Sequence, residues 1–393
     1  MKQLLSLLFL SAAIAAAQND SAITRDGAYW VRTIRGSIEI ASGERLRVET
    51  TGNMTLRGGT GEQGSYTFTV RVRATDAREA ETLLNRVTVK TGTEGGWAYL
   101  MVAPPRLVSS GIELTVTAPR ALRQVWAQTH GGNVQASDWD GDFEARSAGG
   151  RIAVDRIRGR GDLRTAGGDI EVGAVNGTLR CSSGGGVIRV QNAGAEAWLE
   201  TAGGEIFVHQ ADGPVQASTG GGNIRIERAG SSVVARTAGG LIQVQQADGP
   251  VTAESSGGAI QVNSANGVRC ESAGGAIRLR NVAGAVHAFA NSGSILAELG
   301  RDASGKAMED SILSTNAGDI TVFIPSNLRL TVQAINETGG GSGRINSDFP
   351  DIHPRTGGFP GAGPLVAEGA LNGGGPMLRV NVVGGTIYLR RAK

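Results

Sequence analysis

The sequence predicts an all-β fold, a right-handed parallel β-helix (β-solenoid) with 18-residue coils, two main strands per coil and a cap at each end. The first observation is a glycine that closes a Gly-Gly pair, or a Ser-Gly pair in the last case, at Gly132, Gly150, Gly168, Gly186, Gly204, Gly222, Gly240, Gly258, Gly275 and Gly293. Eight of the nine steps between these glycines are 18 residues and one is 17. So strict a repeat indicates stacked units that bury their apolar sides against their neighbours.

The second observation is the alternation of apolar residues inside each repeat. The second and fourth residues after each glycine pair are aliphatic, as in Ile206 and Val208, and a second alternation follows nine residues later, as in Val215 and Ala217. Such alternation predicts strands with one buried face. Because like residues return at each coil, we expect parallel pairing between coils, with right-handed crossovers. We expect residues at the same position of consecutive coils to lie over one another, as in the row Ile206, Ile224, Ile242 and Ile260.

Two kinds of turn join the strands. The glycine pairs permit corners with positive φ, and the other corner carries Asp-Gly or Asn-Gly, as in "ADGP" at 211–214 and 247–250. Leucine-rich and hexapeptide repeats do not fit a spacing of nine residues within a coil. The calcium-binding nonapeptide is excluded because aliphatic residues occupy the positions that need Gly and Asp.

The chain begins with the pattern of a secretory signal. Residues 1–17 contain Lys2, an apolar run and three alanines, so we expect cleavage after Ala17 and an exported protein. Residues 18–129 are expected to form a β-rich N-terminal cap with strands near 36–40, 45–49, 66–73 and 112–118. The cap has one helix, which begins with Asp76 and Glu79 as a capping box and has Ala80, Leu83, Leu84 and Val87 on one face.

The C-terminal part returns to the repeat after two interruptions. Solenoid repeats are expected over 130–346, with an insertion at about 302–309, and a Gly/Pro-rich loop over 347–376. Residues 377–393 then repeat the unit once more, with Leu378, Val380 and Val382 before the glycine pair and Ile387 and Leu389 after it. A solenoid needs such caps to cover its open ends.

Composition limits the classes of partner. The 393 residues include 61 glycines, only 4% aromatics and a net charge of +2. Scattered Arg and Asp/Glu residues do not form the basic face of a nucleic-acid-binding protein, and no later segment is apolar enough for an integral membrane span. The two cysteines, Cys181 and Cys270, fall five coils apart at inward positions, so we expect buried thiols without a disulfide.

The recurring "[TS]-x-G-G-x-I-x-V-x-x-x-x-G-x-V-x-A" from His130 to Leu299, together with "LNGGGPMLRVNVVGGTIYLRR" near the C-terminus, resembles the bacterial DUF4097 family. The resemblance covers about two thirds of the chain. It implies an adhesin-like protein of β-strand repeats, and the family brings no catalytic motif to transfer.

A catalytic site is an alternative for this fold, since polysaccharide lyases and hydrolases are also built on β-helices. The best paired carboxylates are Glu144 with Asp162 and Glu254 with Glu271, each one coil apart, but arginines flank both pairs as in a solvated ion-pair grid. The four histidines are too dispersed for a zinc site, and no cofactor is indicated. The Ser/Thr row that ends each coil is expected to be internal, with hydroxyls bonded to the glycine turns.

One outward row has the character of a binding site. Arg189, Phe207 and Arg225 share the third position after the glycine pair on consecutive coils, with His209 beside them. An aromatic ring between two guanidinium groups can hold a sugar ring that carries an acidic substituent. The same residues also fit a ring that merely covers its neighbours.

The sequence therefore predicts an exported, non-enzymatic β-solenoid with an adhesin-like binding or scaffold role at the cell envelope or surface. Envelope glycans or surface proteins are its expected partners. A carbohydrate-active β-helix enzyme and an end-to-end polymerising solenoid are the alternatives. The ligand, the oligomeric state and the choice between periplasm, cell surface and extracellular medium stay open.

Overall fold

The computed structural model of the chain describes residues 22–41, 43–103, 111–300, 308–338, 344–356 and 363–392. The expected signal segment 1–17, residues 302–307 of the expected insertion and residues 357–362 of the expected loop lie outside the described residues. The chain divides into two compact units, residues 1–168 and 169–393. Strands account for nearly all the regular structure of both units, as the sequence predicts for an all-β solenoid.

The first unit consists of strands and one short helix. Its elements are β1 (Thr24–Asp26), β2 (Tyr29–Ile38), β3 (Arg45–Thr50), β4 (Asn53–Gly59), β5 (Gly64–Val72), α1 (Ala77–Leu84), β6 (Thr88–Glu94), β7 (Trp97–Ala103), β8 (Gly111–Pro119), β9 (Gln124–Thr129), β10 (Val134–Trp139), β11 (Asp142–Ser147), β12 (Ile152–Ile157) and β13 (Gly161–Thr165).

The second unit is all β in its described residues. Its strands are β14 (Ile170–Val175), β15 (Leu179–Ser183), β16 (Ile188–Ala193), β17 (Ala197–Thr201), β18 (Ile206–Ala211), β19 (Val215–Thr219), β20 (Ile224–Ala229), β21 (Val233–Thr237), β22 (Ile242–Ala247), β23 (Val251–Ser255), β24 (Ile260–Val262), β25 (Ala265–Ser272), β26 (Ile277–Ser292), β27 (Ile295–Leu299), β28 (Ser311–Ala317), β29 (Ile320–Ile324), β30 (Leu330–Asn336), β31 (Arg344–Ser347), β32 (His353–Thr356), β33 (Leu365–Leu371), β34 (Met377–Gly384) and β35 (Thr386–Arg391).

Parallel pairing between consecutive repeats is confirmed in the second unit. Ile206 pairs with Ile224, Ile224 with Ile242 and Ile242 with Ile260, all in parallel register. On the other strand of each coil, Val215 pairs with Val233 in the same way. These side chains are at most 1% exposed, so the apolar alternation in the sequence is the alternation between core and solvent.

A further buried row, which the apolar alternation in the sequence does not reveal, runs across the coils. It lies at the end of the first strand of the coil, where Ala193, Ala211 and Ala229 pair in register in the second unit. In the first unit, Trp139 and Ile157 occupy the corresponding strand ends and pair with each other. Trp139 is 1% exposed, so this row contains the largest fully buried side chain of the described chain. The signal was present in the sequence, but polar residues separate this position from the Ile-x-Val alternation.

The Ser/Thr row is internal, as expected, and it joins adjacent coils. Thr237 Oγ1 donates to the carbonyl oxygen of Gly222 at 3.0 Å, and the backbone N–H of Gly240 donates to the same Oγ1 at 3.1 Å. Thr219 makes the equivalent bonds to Gly204 and from Gly222. A buried hydroxyl is thereby satisfied as both donor and acceptor, and one glycine carbonyl and one glycine N–H are satisfied with it.

The regular coils do not adopt the positive φ that their glycine pairs permit. None of the pairs from Gly149–Gly150 to Gly257–Gly258 has a φ in the left-handed region. The second glycine is required for a different reason, because it lies against the backbone of the preceding coil. A Cβ added at Gly222 would be 2.0 Å from the carbonyl oxygen of Gly204, whereas one added at Gly221 would meet nothing within 4 Å. The two glycines of a pair therefore carry unequal constraints.

The N-terminal end of the first unit has a spatial order that differs from the chain order. Strand β3 lies between β7 and β9, and β4 lies between β8 and β10, with all four pairings parallel. The chain leaves the stack after β4 and re-enters it at β7. Strands β7 and β8 then form a coil on the side of β3 and β4 that faces away from β9 and β10. Strands β6 and β5 then pair antiparallel with β7 and β8 and cover that outer coil.

Helix α1 is present where the sequence places it. The Asp76 carboxylate accepts hydrogen bonds from the backbone N–H groups of Arg78 and Glu79, both at 2.9 Å. Glu79 differs from the expected capping box, since it accepts from the N–H of Thr75 and not from that of Asp76. Ala80 and Leu84 are buried, and the helix packs against β5 and β2.

The C-terminal end of the second unit mirrors this arrangement. Strand β34 lies between β28 and β30, and β35 lies between β29 and β31, again with parallel pairing. The final repeat anticipated at Leu378 and Ile387 is thus inserted between two coils that precede it in the chain. Strand β33 pairs antiparallel with β30, and β32 pairs antiparallel with β33.

The two cysteines occupy one inward row and form no disulfide. Cys181 pairs with Leu199 and Cys270 with Ala253, and Ala217 and Ala235 lie between them in the same row. Five strand spacings separate the thiols by about 24 Å, far beyond disulfide reach. Burial raises the pKa of the Cys270 thiol, which keeps it protonated and unreactive at neutral pH.

The unequal glycines give a matched pair of variants. Gly222→Ala is expected to lower the free energy of unfolding by about 3 kcal/mol, because the new methyl group forces two coils apart at a backbone contact. Gly221→Ala, its neighbour, should change the free energy of unfolding by no more than about 0.5 kcal/mol. Urea and thermal unfolding of both variants measure the difference. Equal unfolding midpoints for the two variants would contradict the close-approach explanation.

The thiols give a second prediction. A thiol reagent added to the native protein at pH 8 should leave Cys270 unmodified, and denaturation without reductant should expose two titratable thiols per chain. Cys270→Ser, measured under the same denaturing conditions, should release one thiol. Absence of reactive thiol from the unreduced, denatured protein would show that the cysteines are oxidised and that the register of the inward row is wrong.

Candidate functional site

The predicted binding row is assembled by strand register. Arg189 on β16 pairs with Phe207 on β18, and Phe207 pairs with Arg225 on β20, so the three side chains leave the same face of adjacent strands. The Arg225 guanidinium lies over the Phe207 ring, 5.9 Å from its centroid. Phe207 is half-buried, while Arg189, Arg225 and His209 are exposed. The structure therefore places all four predicted residues on one patch of the second unit.

Hydrogen bonds within the patch already engage two of its polar residues. The His209 Nδ1 atom is 2.6 Å from a carboxylate oxygen of Glu227, and Arg225 donates to the other oxygen of that carboxylate at 3.3 Å. Arg189 lies between Glu171 on β14 and Phe207 on β18 in the same outward row. Glu227 falls 18 residues after His209, so the repeat contained the signal for their contact. Arg189 and Arg225 are the exposed cations that a ligand of the patch would meet.

The two predicted carboxylate pairs are real neighbours. Glu144 pairs with Asp162 on adjacent strands of the first unit, and Glu254 pairs with Glu271 in the second unit. Each carboxylate also has an arginine partner; the partners are Arg146, Arg164, Arg236 and Arg269, respectively. Directly opposed carboxylates repel each other, and the guanidinium groups offset that repulsion.

A second ion-pair ladder, missed in the sequence, lines a corner of the first unit. The motif "DWDGD" places Asp138, Asp140 and Asp142 at alternate positions, and "RIRGR" follows 18 residues later. Arg156 donates to both carboxylate oxygens of Asp138, at 2.6 and 2.9 Å, and these bonds lower the pKa of Asp138 to about 2. Hydrogen bonds from Arg120 likewise lower the pKa of Asp140. The alternating aspartates have a spacing suited to a cation, but guanidinium groups already neutralise them.

Metal coordination finds no candidate in the described ranges. No group of three or more His, Cys, Asp or Glu side chains within them is arranged to hold an ion.

Aromatic side chains concentrate on the outward face of the first unit. Strand β7 reads "WAYLMVA", and its alternate residues Trp97, Tyr99 and Met101 point away from the core. The Arg45 guanidinium lies 4.5 Å from the Trp97 ring centroid, and Arg47 lies at the same distance from Trp126 on β9. This face repeats the aromatic-arginine chemistry of the Phe207 patch, and the alternation in β7 would have been enough to find it.

The helices of the described chain include none that is long and apolar enough to cross a membrane.

Comparisons with known proteins give a family match and several similar solved structures. No curated protein matches it. A Bacteroides fragilis protein described as a "putative adhesin" is 14% identical, and the match covers 63% of this chain and 95% of that one with a TM-score of 0.31. A Clostridium sporogenes "putative cell adhesion protein" is 9% identical over 92% of this chain and 100% of that one, with a TM-score of 0.20.

A Parabacteroides distasonis "putative lipid binding protein" is 11% identical, and its match covers 94% of this chain and 98% of that one with a TM-score of 0.19. The family model described as "Toastrack DUF4097" matches residues 38–349, which is well over half of the sequence. The resemblance seen in the repeats is therefore confirmed, and the chain belongs to the DUF4097 family.

Proposed function

We propose that this chain is an exported, non-enzymatic β-solenoid that acts as an adhesin-like binding or scaffold protein of the cell envelope or surface. The observation that carries the proposal is the register of the outward rows. Identical outward positions on consecutive strands hold side chains at a fixed spacing of about 4.8 Å. A rigid row of this kind suits the recognition of a ligand that itself repeats. Membership of the DUF4097 family and the signal-like pattern of residues 1–17 agree with this role.

The proposed architecture is a right-handed parallel β-helix with 18 residues per coil. Partner residues in the regular coils are 18 positions apart, as in Ile206 and Ile224, and crossovers between parallel strands are nearly always right-handed. The proposed domain organisation is a signal segment at 1–17, a cap at 18–129, repeats at 130–346, a loop at 347–376 and the final strands at 377–393.

The proposed partners are envelope glycans or surface proteins, and the proposed contact is the patch of Arg189, Phe207, His209 and Arg225. Its half-buried ring offers a platform for a sugar ring, and Arg189 beside it offers an exposed cation. Glu227 fixes Arg225 and His209 in place, so the patch loses little side-chain entropy when a ligand binds.

The enzyme alternative has less support. A glycosidase needs one carboxyl group that stays protonated to act as the acid and a second that acts as base or nucleophile. Each of the four candidate carboxylates is instead held in an ion pair with an arginine; the four are Glu254, Glu271, Glu144 and Asp162.

The patch is tested by substitution. Phe207→Ala should weaken binding of the mature protein to envelope glycans by about tenfold, since it removes the aromatic platform and the support for Arg225. Its melting temperature should stay within about 2 °C of the wild type, because the ring lies on the outer face of the strand. Pull-down from envelope fractions and glycan arrays measure binding, and thermal melting measures stability.

Gln243→Ala is the matched control, because Gln243 follows Arg225 in the same outward row. It should bind as the wild type does. Wild-type binding by Phe207→Ala would remove the patch from the proposal, and failure of the unsubstituted protein to bind any envelope component would remove the proposed function.

A further inference from the structure

An open groove of about 640 Å³ runs along the outer surface of the second unit. Its residues come from six strands that pair side by side, from Thr219 on β19 to Ser314 on β28. Five strand spacings give it a length of about 24 Å. The volume lies within the range of ligand sites, and the length suits an extended chain better than a single compact molecule.

One wall of the groove is a row of larger side chains in continuous register. Arg236, Glu254, Glu271, Phe289 and Ser314 follow one another on adjacent strands. Earlier strands of this row carry Ser182, Glu200 and Ser218, so an aromatic residue enters only where the groove is. Phe289 is half-buried, and the Arg269 guanidinium lies 5.9 Å from its ring centroid.

The opposite wall is small and polar. Ser256, Ala273, Asn291 and Asn316 are exposed at or just after the ends of their strands. The Asn316 side-chain amide donates to Asn291 Oδ1 at 2.8 Å, which holds the two amides side by side. Both residues are exposed, so their remaining amide atoms can donate and accept further hydrogen bonds.

The floor of the groove offers a ligand a surface to pack against but no free hydroxyl group for a hydrogen bond. It is formed by the internal hydroxyl row, in which Ser255 and Ser272 donate to glycine carbonyls of the preceding coil at 3.2 Å and accept from glycine N–H groups at 2.9 Å. Because these hydroxyls are occupied, a ligand must be recognised by the walls.

The charges of the groove balance. Arg236 donates to Glu254 at 3.0 Å, and Arg269 donates to Glu271 at 2.5 Å. The side chains of Glu254 and Glu271 nevertheless remain 42% and 44% exposed, so their oxygens can accept further hydrogen bonds. Adjacent carboxylates favour hydroxyl donors and repel phosphate, sulfate and uronate groups. A polar lining with a single aromatic ring also excludes an acyl chain.

We propose that this groove binds a neutral glycan, which lies along the strand-to-strand direction with one sugar ring against Phe289. Carboxylates and amides on both walls accept and donate hydrogen bonds to the sugar hydroxyls, and the aromatic ring packs against the apolar face of the ring. The repeat of an extended glycan is close to the strand spacing, so successive sugars meet successive strands of the groove. The inference rests on the proposed binding function but uses a surface separate from the Phe207 patch and a ligand without acidic groups.

The test is calorimetric titration of the mature protein with defined oligosaccharides. The probes are hexasaccharides of α-linked glucose, β-linked glucose and β-linked N-acetylglucosamine, with an oligogalacturonate as the acidic probe. At least one neutral probe should bind with a Kd of about 1 mM or tighter. Phe289→Ala should weaken that binding about tenfold, and Phe289→Tyr should retain it.

Two further variants separate a binding loss from misfolding and from a general effect of removing an outward ring. Asn291→Ala changes an exposed amide and should also weaken binding, while its unfolding midpoint stays at the wild-type value. Phe323→Ala removes a half-buried outward phenylalanine on β29, outside both proposed sites, and should leave binding of the neutral probe unchanged. The inference is overturned if only the acidic probe binds, if no neutral probe binds at millimolar concentration, or if Phe289→Ala and Asn291→Ala bind as the wild type does. Envelope binding without binding of neutral probes would overturn the groove alone and leave the proposed function standing.

Discussion

The close contact between the second glycine of each pair and the backbone of the preceding coil is the constraint on which the remaining structure depends. At Gly222 the space for a side chain is already filled by the carbonyl of Gly204, and a Thr hydroxyl three residues earlier bonds the glycine N–H across the same corner. This arrangement repeats at Gly240 and Gly258, with carbonyl approaches of 2.0 and 1.9 Å for an added Cβ. A corner that admits no side chain fixes the register of every strand that leaves it, and the register in turn aligns the buried rows and the outward rows.

The sequence reveals those parts of the fold that depend on the repeat, because each coil reports the same local environment. The row of Ile206, Ile224 and Ile242, the internal hydroxyls and the separation of Cys181 from Cys270 all follow from position within the coil. The ends could not be predicted in this way. The placement of β3 between β7 and β9 depends on which outer edge each strand finds, and the alternation of a single strand carries no information about its neighbour. The reason for the glycine pairs was also hidden, since positive φ and close approach select the same residue.

The candidate surfaces also divide into features that the repeat predicts and features that it does not. Register alone brought Arg189, Phe207 and Arg225 together and aligned Glu254 with Glu271. The contacts between rows were not visible in the sequence, because side chains such as Glu227 and Arg269 reach partners at another position of the coil. The outer faces therefore consist largely of charges that neutralise one another in place, as Arg156 and Asp138 do. Such a face does not bind a ligand through net charge alone, because the ligand would first have to displace these ion pairs.

The inserted C-terminal strands have a consequence for the order of assembly. Strands β34 and β35 pair on both edges, with β28 and β29 on one side and β30 and β31 on the other. During synthesis, β30 and β31 emerge first, yet their parallel partners do not exist until residues 377–391 have followed. In the regular repeats, each coil can pair with the coil that precedes it in the chain. This end is different, because its pairing must wait for a distant segment and is therefore a late, non-local folding step. Until β34 and β35 have paired, the strand edges that they cover stay exposed, and chaperones or proteases can bind there.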